Sequence, residues 1–162
     1  MYVKRRLSKE LTLFKGGHFP FKSAFDSPLR YEIVVGIGGN LGDVKRRFEH
    51  LFHEIKKSRR VDVIESSLIL KNPPFGFLEQ DDFFNSILVL KSSMQPKCFL
   101  QYLMRIEKKF GRRRSFANAP RTLDLDIIFF DNRFIKSEKL TIPHPAWHKR
   151  ESVVIPLSSL KR

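Results

Sequence analysis

Cysteine is almost absent from this chain: Cys98 stands alone among 162 residues. That excludes an internal disulfide and any cysteine-based metal cluster, and it fits a reducing compartment. No stretch approaches the roughly 20 apolar residues that span a membrane. The N-terminus is basic and lacks the apolar core of a signal peptide. A cytoplasmic chain with no membrane partner is therefore expected. Internal repeats and low-complexity segments are missing. Acidic residues are scarce, 17 against 31 Lys and Arg, which leaves a formal net charge of +14. Such an excess suits an anionic partner, whether nucleic acid, membrane surface or polyphosphate, without choosing among them.

The length predicts one domain with a self-sufficient core. Residues 1–30 read as a basic extension, with seven Lys or Arg against Glu10 and Asp26 and no sustained periodicity. A mobile arm or an upstream translation start, dispensable for catalysis, is expected there. The domain proper is expected over 31–162. Tyr31 to Ile37 reads as a buried strand. Gly38 to Gly42 reads as a turn, and Asp43 as the cap of a helix carried by Val44, Phe48, Leu51 and Ile55. Val61 to Leu70 predicts a second strand, 71–82 a loop and Phe84 to Lys91 a third strand. Pro96 suits the first turn of a second helix along Phe99, Leu103, Ile106 and Phe110, which Gly111 ends. Thr122 to Phe130 predicts the fourth strand. The order β-α-β-β-α-β predicts an α+β fold of ferredoxin-like type, an antiparallel sheet with flanking helices.

The chemistry concentrates in Pro120-Arg121-Thr122-Leu123-Asp124-Leu125-Asp126-Ile127. On a strand, Asp124 and Asp126 share a face, about 6.5–7 Å apart. Two parallel carboxylates repel unless something positive lies between them, and a Mg²⁺ pair fits such a gap. A bare D-x-D is more often a solvated strand face, so its neighbours must decide. Arg112, Arg113, Arg114 and Arg121 surround it, and arginine forks match phosphate oxygens. His144 is held between Pro143 and Pro145, with Arg150 six residues on. Phe83, Phe84 and Asn85 read either as core with a polar strand start or as an aromatic slot beside a heterocycle-reading amide. The Gly36-x-Gly38 cluster has Leu41 where a dinucleotide fingerprint needs its third glycine, and it is not a P-loop. Close backbone approach is the expected use.

Taken together, these residues resemble the 6-hydroxymethyl-7,8-dihydropterin pyrophosphokinases of folate biosynthesis. The resemblance covers residues 32–157 and rests on G-x-G-G-N-L-G-D at 36–43, N-P-P-F-G at 72–76, F-F-N at 83–85, G-R-x-R at 111–114, A-P-R-T-L-D-L-D-I at 119–127 and I-P-H-P followed by Arg150 and P-L. It implies transfer of the β,γ-pyrophosphoryl group of ATP to the pterin hydroxymethyl, leaving AMP. It also implies two Mg²⁺ held by Asp124 and Asp126, and Arg112 and Arg121 on the transferring group. Glu107, Arg114, Lys139, Thr141, His144 and Arg150 would contact ATP. Asn72, Pro73, Phe75, Phe83 and Asn85 would hold the pterin. The implied partners are these small molecules, with a monomer expected and nucleic acid not.

Three places depart from the family pattern. Phe116-Ala117-Asn118 replaces a basic residue and a tryptophan, Pro145 replaces an aromatic, and Ser152 stands where an aromatic usually stacks on the pterin. A neighbour, Trp147 before Phe75, is expected to fill in. The rival reading, an RNA-binding sheet, would carry aromatics where strand 122–130 carries Asp.

Overall fold

Strand β4 (Tyr31–Gly39) is the spine of the sheet, hydrogen-bonded on both edges. The computed structural model describes residues 3–112 and 116–161. On one side β4 pairs antiparallel with β7 (Phe83–Ser92), and on the other with β8 (Asp124–Phe130). β5 (Val61–Ser66) and β6 (Ile69–Asn72) both pair with the far edge of β7. The central order is thus β8, β4, β7, then β5 and β6, with every pairing antiparallel. This is the ferredoxin-like α+β arrangement that the sequence predicts.

Helix α1 (Val44–Lys56) starts at Asp43, whose side chain accepts the Arg46 N–H at 3.2 Å. Helix α2 (Pro96–Lys109) starts on proline and ends before Gly111, which at φ +81° adopts the left-handed conformation that closes a helix. Both bury their apolar stripes, Phe48, Leu51, Phe52 and Ile55 with Phe99, Leu103 and Ile106, against one face of the sheet. That face carries Ile33, Val35, Ile37, Leu125 and Ile127. The opposite face carries Val34, Ile87, Val89 and Ile128 and is covered only in part, by Val153 of α3 (Glu151–Ser158). The uncovered remainder is where the charged residues gather.

Two expectations need correction. The strand expected over 61–70 breaks at Ser67-Leu68. There the Ser67 hydroxyl accepts the Ile87 N–H at 2.8 Å, so a side chain replaces a ladder bond. Residues 3–30 are also not a loose arm. β1 (Val3–Arg6) pairs with β2 (Thr12–Lys15), β2 pairs with β6, and β3 (Phe21–Lys22) pairs with β5. Phe19 is fully buried, its ring 5.7 Å from that of Phe48. Strands of two to four residues are too short for their alternation to register in the sequence. After β8 the chain forms a small hairpin, β9 (Ile135–Lys136) with β10 (Thr141–Ile142), and a single 3-10 turn, Trp147–Lys149.

Candidate active site

The floor of the site is made by two residues without side chains. Gly36 and Gly38 of β4 lie opposite Asp126 and Asp124 of β8, and Gly38 also faces Asn85 of β7. A Cβ at Gly38 would lie 2.5 Å from the Asn85 Oδ1, and one at Gly36 would lie 3.3 Å from the Ile128 Cδ1. Glycine thus leaves open the space between the carboxylate pair and the amide. The G-x-G run therefore acts within the strand and not in the turn after it. The result is a cleft with its mouth open to solvent. Asp124, Asp126, Arg121, His144 and Arg150 line it with charged and titratable groups. Asn72, Phe75, Phe83, Asn85 and Ser152 line it too. Asn85 Nδ2 donates to Asn72 Oδ1 at 2.7 Å, and the Arg121 guanidinium lies over the Phe83 ring, 5.5 Å from its centre.

Asp124 is gripped by two arginines. The Arg112 guanidinium donates to its Oδ1, and Arg121 Nη1 donates to its Oδ2 at 2.9 Å. Arg112 Nη1 also donates to Glu107 Oε2 at 2.6 Å, and the same oxygen accepts the Leu125 N–H at 2.7 Å. Burial raises the Glu107 pKa, opposed by the Leu125 N–H and by Arg112. Burial would lower that of Arg112, but Asp124 and Glu107 outweigh it and raise the net value. Asp126 is pushed up to about 7, by burial first and then by Asp124 and Glu107, against the pull of Arg112 and Arg150. Asp124 and Asp126 both line the cleft, and two hard oxygen donors side by side fit a divalent cation such as Mg²⁺. His144 is lowered by burial and by Arg150, which keeps it neutral at pH 7. Its Nδ1 accepts the Ala146 N–H at 3.3 Å. The ring proton is therefore assigned to Nε2, as a donor.

Asn40 joins the two loops that frame the cleft, a role that the sequence reading missed. It is 3 % exposed. Its Nδ2 donates to Gln80 Oε1 at 2.8 Å and to the Asp81 carbonyl at 3.0 Å, while its Oδ1 accepts the Arg121 N–H at 2.9 Å. Gln80 Nε2 in turn donates to the Asn118 carbonyl at 2.9 Å, and Phe77 meets Phe116 edge to face at 5.3 Å. The partners of Asn40 lie 40 and 81 residues away, so no local pattern marks it.

Of the residues singled out from sequence, Asn72, Phe75, Phe83, Asn85, Arg121, Asp124, Asp126, His144 and Arg150 meet in this one cleft. Glu107 and Arg112 stand behind Asp124. Pro73 adjoins Asn72, whose Nδ2 donates to the Pro73 carbonyl at 3.0 Å. Lys139 and Thr141 are exposed on the β9–β10 hairpin, outside the lining. Arg114 lies outside the described residues. Trp147 does not enter the cleft: it packs edge-on against Phe129 at 5.0 Å, whereas Phe75, 77 % exposed, is in the lining.

The chain is similar in sequence to known proteins. The family model for 7,8-dihydro-6-hydroxymethylpterin-pyrophosphokinase matches residues 34–162. A 2-amino-4-hydroxy-6-hydroxymethyldihydropteridine pyrophosphokinase of Campylobacter jejuni is 35% identical over 146 residues, 90% of this chain and 93% of its own. The protein of that name from Helicobacter pylori is 38% identical over 142 residues, 85% of this chain and 87% of its own. A third, from Synechocystis, is 39% identical over 127 residues, 78% of this chain and 65% of its own. The chain belongs to the 7,8-dihydro-6-hydroxymethylpterin pyrophosphokinase family.

Proposed function

We propose that this pyrophosphokinase moves the β,γ-pyrophosphoryl group of ATP onto the 6-hydroxymethyl oxygen of the dihydropterin, giving AMP and the pterin diphosphate for folate biosynthesis. The observation that carries the reading is the bare glycine floor, which brings a carboxylate pair with arginines into one cleft with the amides of Asn72 and Asn85 and the rings of Phe75 and Phe83. The charged groups suit a polyphosphate with its metal, the amides and rings a flat heterocycle. The hydroxymethyl oxygen bonds to the β-phosphorus, the bond from that phosphorus to the oxygen it shares with the α-phosphate breaks, and AMP leaves with the bridging oxygen. The hydroxyl proton passes to solvent.

Such a transfer depends on positioning and charge neutralisation more than on covalent help. Asp124 and Asp126 are the residues that would hold two Mg²⁺, which neutralise phosphate charge and align the ATP chain when bound. Arg112 and Arg121, which bond Asp124 here, would turn to the transferring group. His144 offers its Nε2–H, and Arg150 its guanidinium, to the phosphates. Glu107, 5 % exposed, acts on ATP through Arg112. Lys139, Thr141 and Arg114 are assigned to the outer part of ATP. Asn72 and Asn85 read the pterin edge, with Pro73 shaping the rim and Phe75 and Phe83 its faces.

An RNA-binding sheet would present aromatics on the face away from the helices. Here β8 presents two carboxylates there, which repel phosphate without a metal. No helix among the described residues is long and apolar enough to cross a membrane. A cytoplasmic monomer acting on small molecules is the reading adopted. The test is a product assay with ATP, Mg²⁺ and 6-hydroxymethyl-7,8-dihydropterin. AMP and the pterin diphosphate in equal amounts are expected, and ADP as the nucleotide product would overturn the reading.

A further inference from the structure

The N-terminal extension lies outside the family model, which begins at residue 34. Between β2 and β3 it makes a turn that sets His18 on helix α1. The His18 backbone N–H donates to Glu49 Oε1 at 2.6 Å, and His18 Nδ1 lies 2.8 Å from Glu49 Oε2. The His18 ring stacks on Phe52 with centroids 4.3 Å apart and planes 15° apart. His53 follows Glu49 by four residues, one helical turn, and so shares its face. Its ring meets His18 edge-on at 5.3 Å. One ligand atom from each of His18, Glu49 and His53 fits within 4.8 Å of the others.

We propose that His18, Glu49 and His53 bind a divalent transition metal, zinc first, and that the metal fastens the extension to helix α1. Two imidazoles and a carboxylate form an established ligand set for zinc with a fourth position left to water. The nitrogens select against Mg²⁺, so this site differs in kind from the carboxylate pair in the cleft. The surroundings hold the ligands in place. The stack on Phe52 fixes the His18 ring. The His18 N–H holds one Glu49 oxygen and so directs the other at the rings, as outer hydrogen bonds do in metal sites. Gly17, at φ +60°, makes room: a Cβ there would fall 1.9 Å from Glu49 Oε1. The side chains of His18 and Glu49 are 39 % and 20 % exposed, so an ion has access.

A plain hydrogen-bonded strap would need only His18 and Glu49. The third donor, His53, is what separates the two accounts. Lys56, 5.6 Å from the centre of the Phe52 ring, opposes added positive charge nearby but takes none of the donors.

The test uses the full, untagged chain, stripped of metal and supplied with Mg²⁺ so that the cleft carboxylates are occupied. Zn²⁺ is titrated in competition with a chromophoric chelator, and thermal unfolding is followed with and without it. One tight equivalent of Zn²⁺ is expected, together with a rise in Tm, because a ligand of the folded state stabilises it. His53→Ala, an exposed position on a long helix, keeps the fold. It should weaken Zn²⁺ binding at least about tenfold, the lower end of what loss of even an outer-shell partner costs, and should abolish the rise. Glu49→Gln should do the same, while AMP release by His53→Ala without zinc stays at the wild-type rate. Equal Zn²⁺ affinity in wild type and His53→Ala, or no tight equivalent at all, would overturn the site. Binding that depends on His53 but leaves Tm unchanged would overturn the fastening.

Discussion

Gly38 faces Asn85 so closely that a Cβ at position 38 would lie 2.5 Å from the Asn85 Oδ1. The missing side chain is therefore a condition of the site. Gly38→Ala should push Asn85 off its 2.7 Å bond to Asn72. Pterin affinity should fall about tenfold, equivalent to about 1.4 kcal/mol, with a smaller loss for ATP. Isothermal titration of each substrate checks this, and unchanged pterin binding would show that Asn85 can move freely.

Phe75 and Trp147 separate two ways of making up for Ser152. Phe75 lines the cleft and Trp147 packs on Phe129. Phe75→Ala should weaken pterin binding by about 1–3 kcal/mol, the value of a lost stacking partner. Trp147→Ala should leave that affinity alone and lower stability instead. The opposite pattern in a fluorescence titration would return the role to Trp147.

Phe19 tests whether the extension belongs to the core. It is fully buried against Phe48 and Phe52. Phe19→Ala should cost about 3–5 kcal/mol in urea unfolding, the usual price of an emptied aromatic site. A loss under about 0.5 kcal/mol, typical of an exposed position, would mean that the extension is loose in solution.

Local signals carried the parts of this fold that were legible in the sequence. Asp43, Pro96 and Gly111 bound the helices because caps act within a few residues. Asp124 and Asp126 could be placed on one face because the strand period is two. The break at Ser67, the short strands of the extension and the role of Asn40 stayed hidden. Each depends on partners far along the chain, such as Ile87 for Ser67 and Gln80 and Arg121 for Asn40. Trp147 was misplaced for the same reason: nearness in sequence to Ser152 does not say which way the ring turns.

Tyr102 offers a test of stability against pH. Its hydroxyl is buried with no hydrogen-bond partner among the described residues. Burial, aided by Glu54, pushes its pKa from 10.0 up to about 12. The unfolded chain releases the proton at lower pH than the folded one. The contribution is therefore fully present below pH 10.0 and is lost as pH rises toward about 12. Tyr102→Phe should match or exceed wild type by about 1 kcal/mol at pH 8, since no bond is lost, and should fall less steeply above pH 10. A destabilisation of several kcal/mol at pH 8 would reveal a partner for the hydroxyl.

The central claim is that Asp124 and Asp126 are a cation-holding pair, and Asp126→Asn tests it most directly. Asp126 is half-buried beside Asp124 and Glu107, so removing its charge relieves repulsion. AMP release with ATP, Mg²⁺ and 6-hydroxymethyl-7,8-dihydropterin should vanish, while circular dichroism is unchanged and Tm equals or exceeds that of wild type. Mg²⁺-dependent AMP release near the wild-type rate in the folded variant would contradict the account.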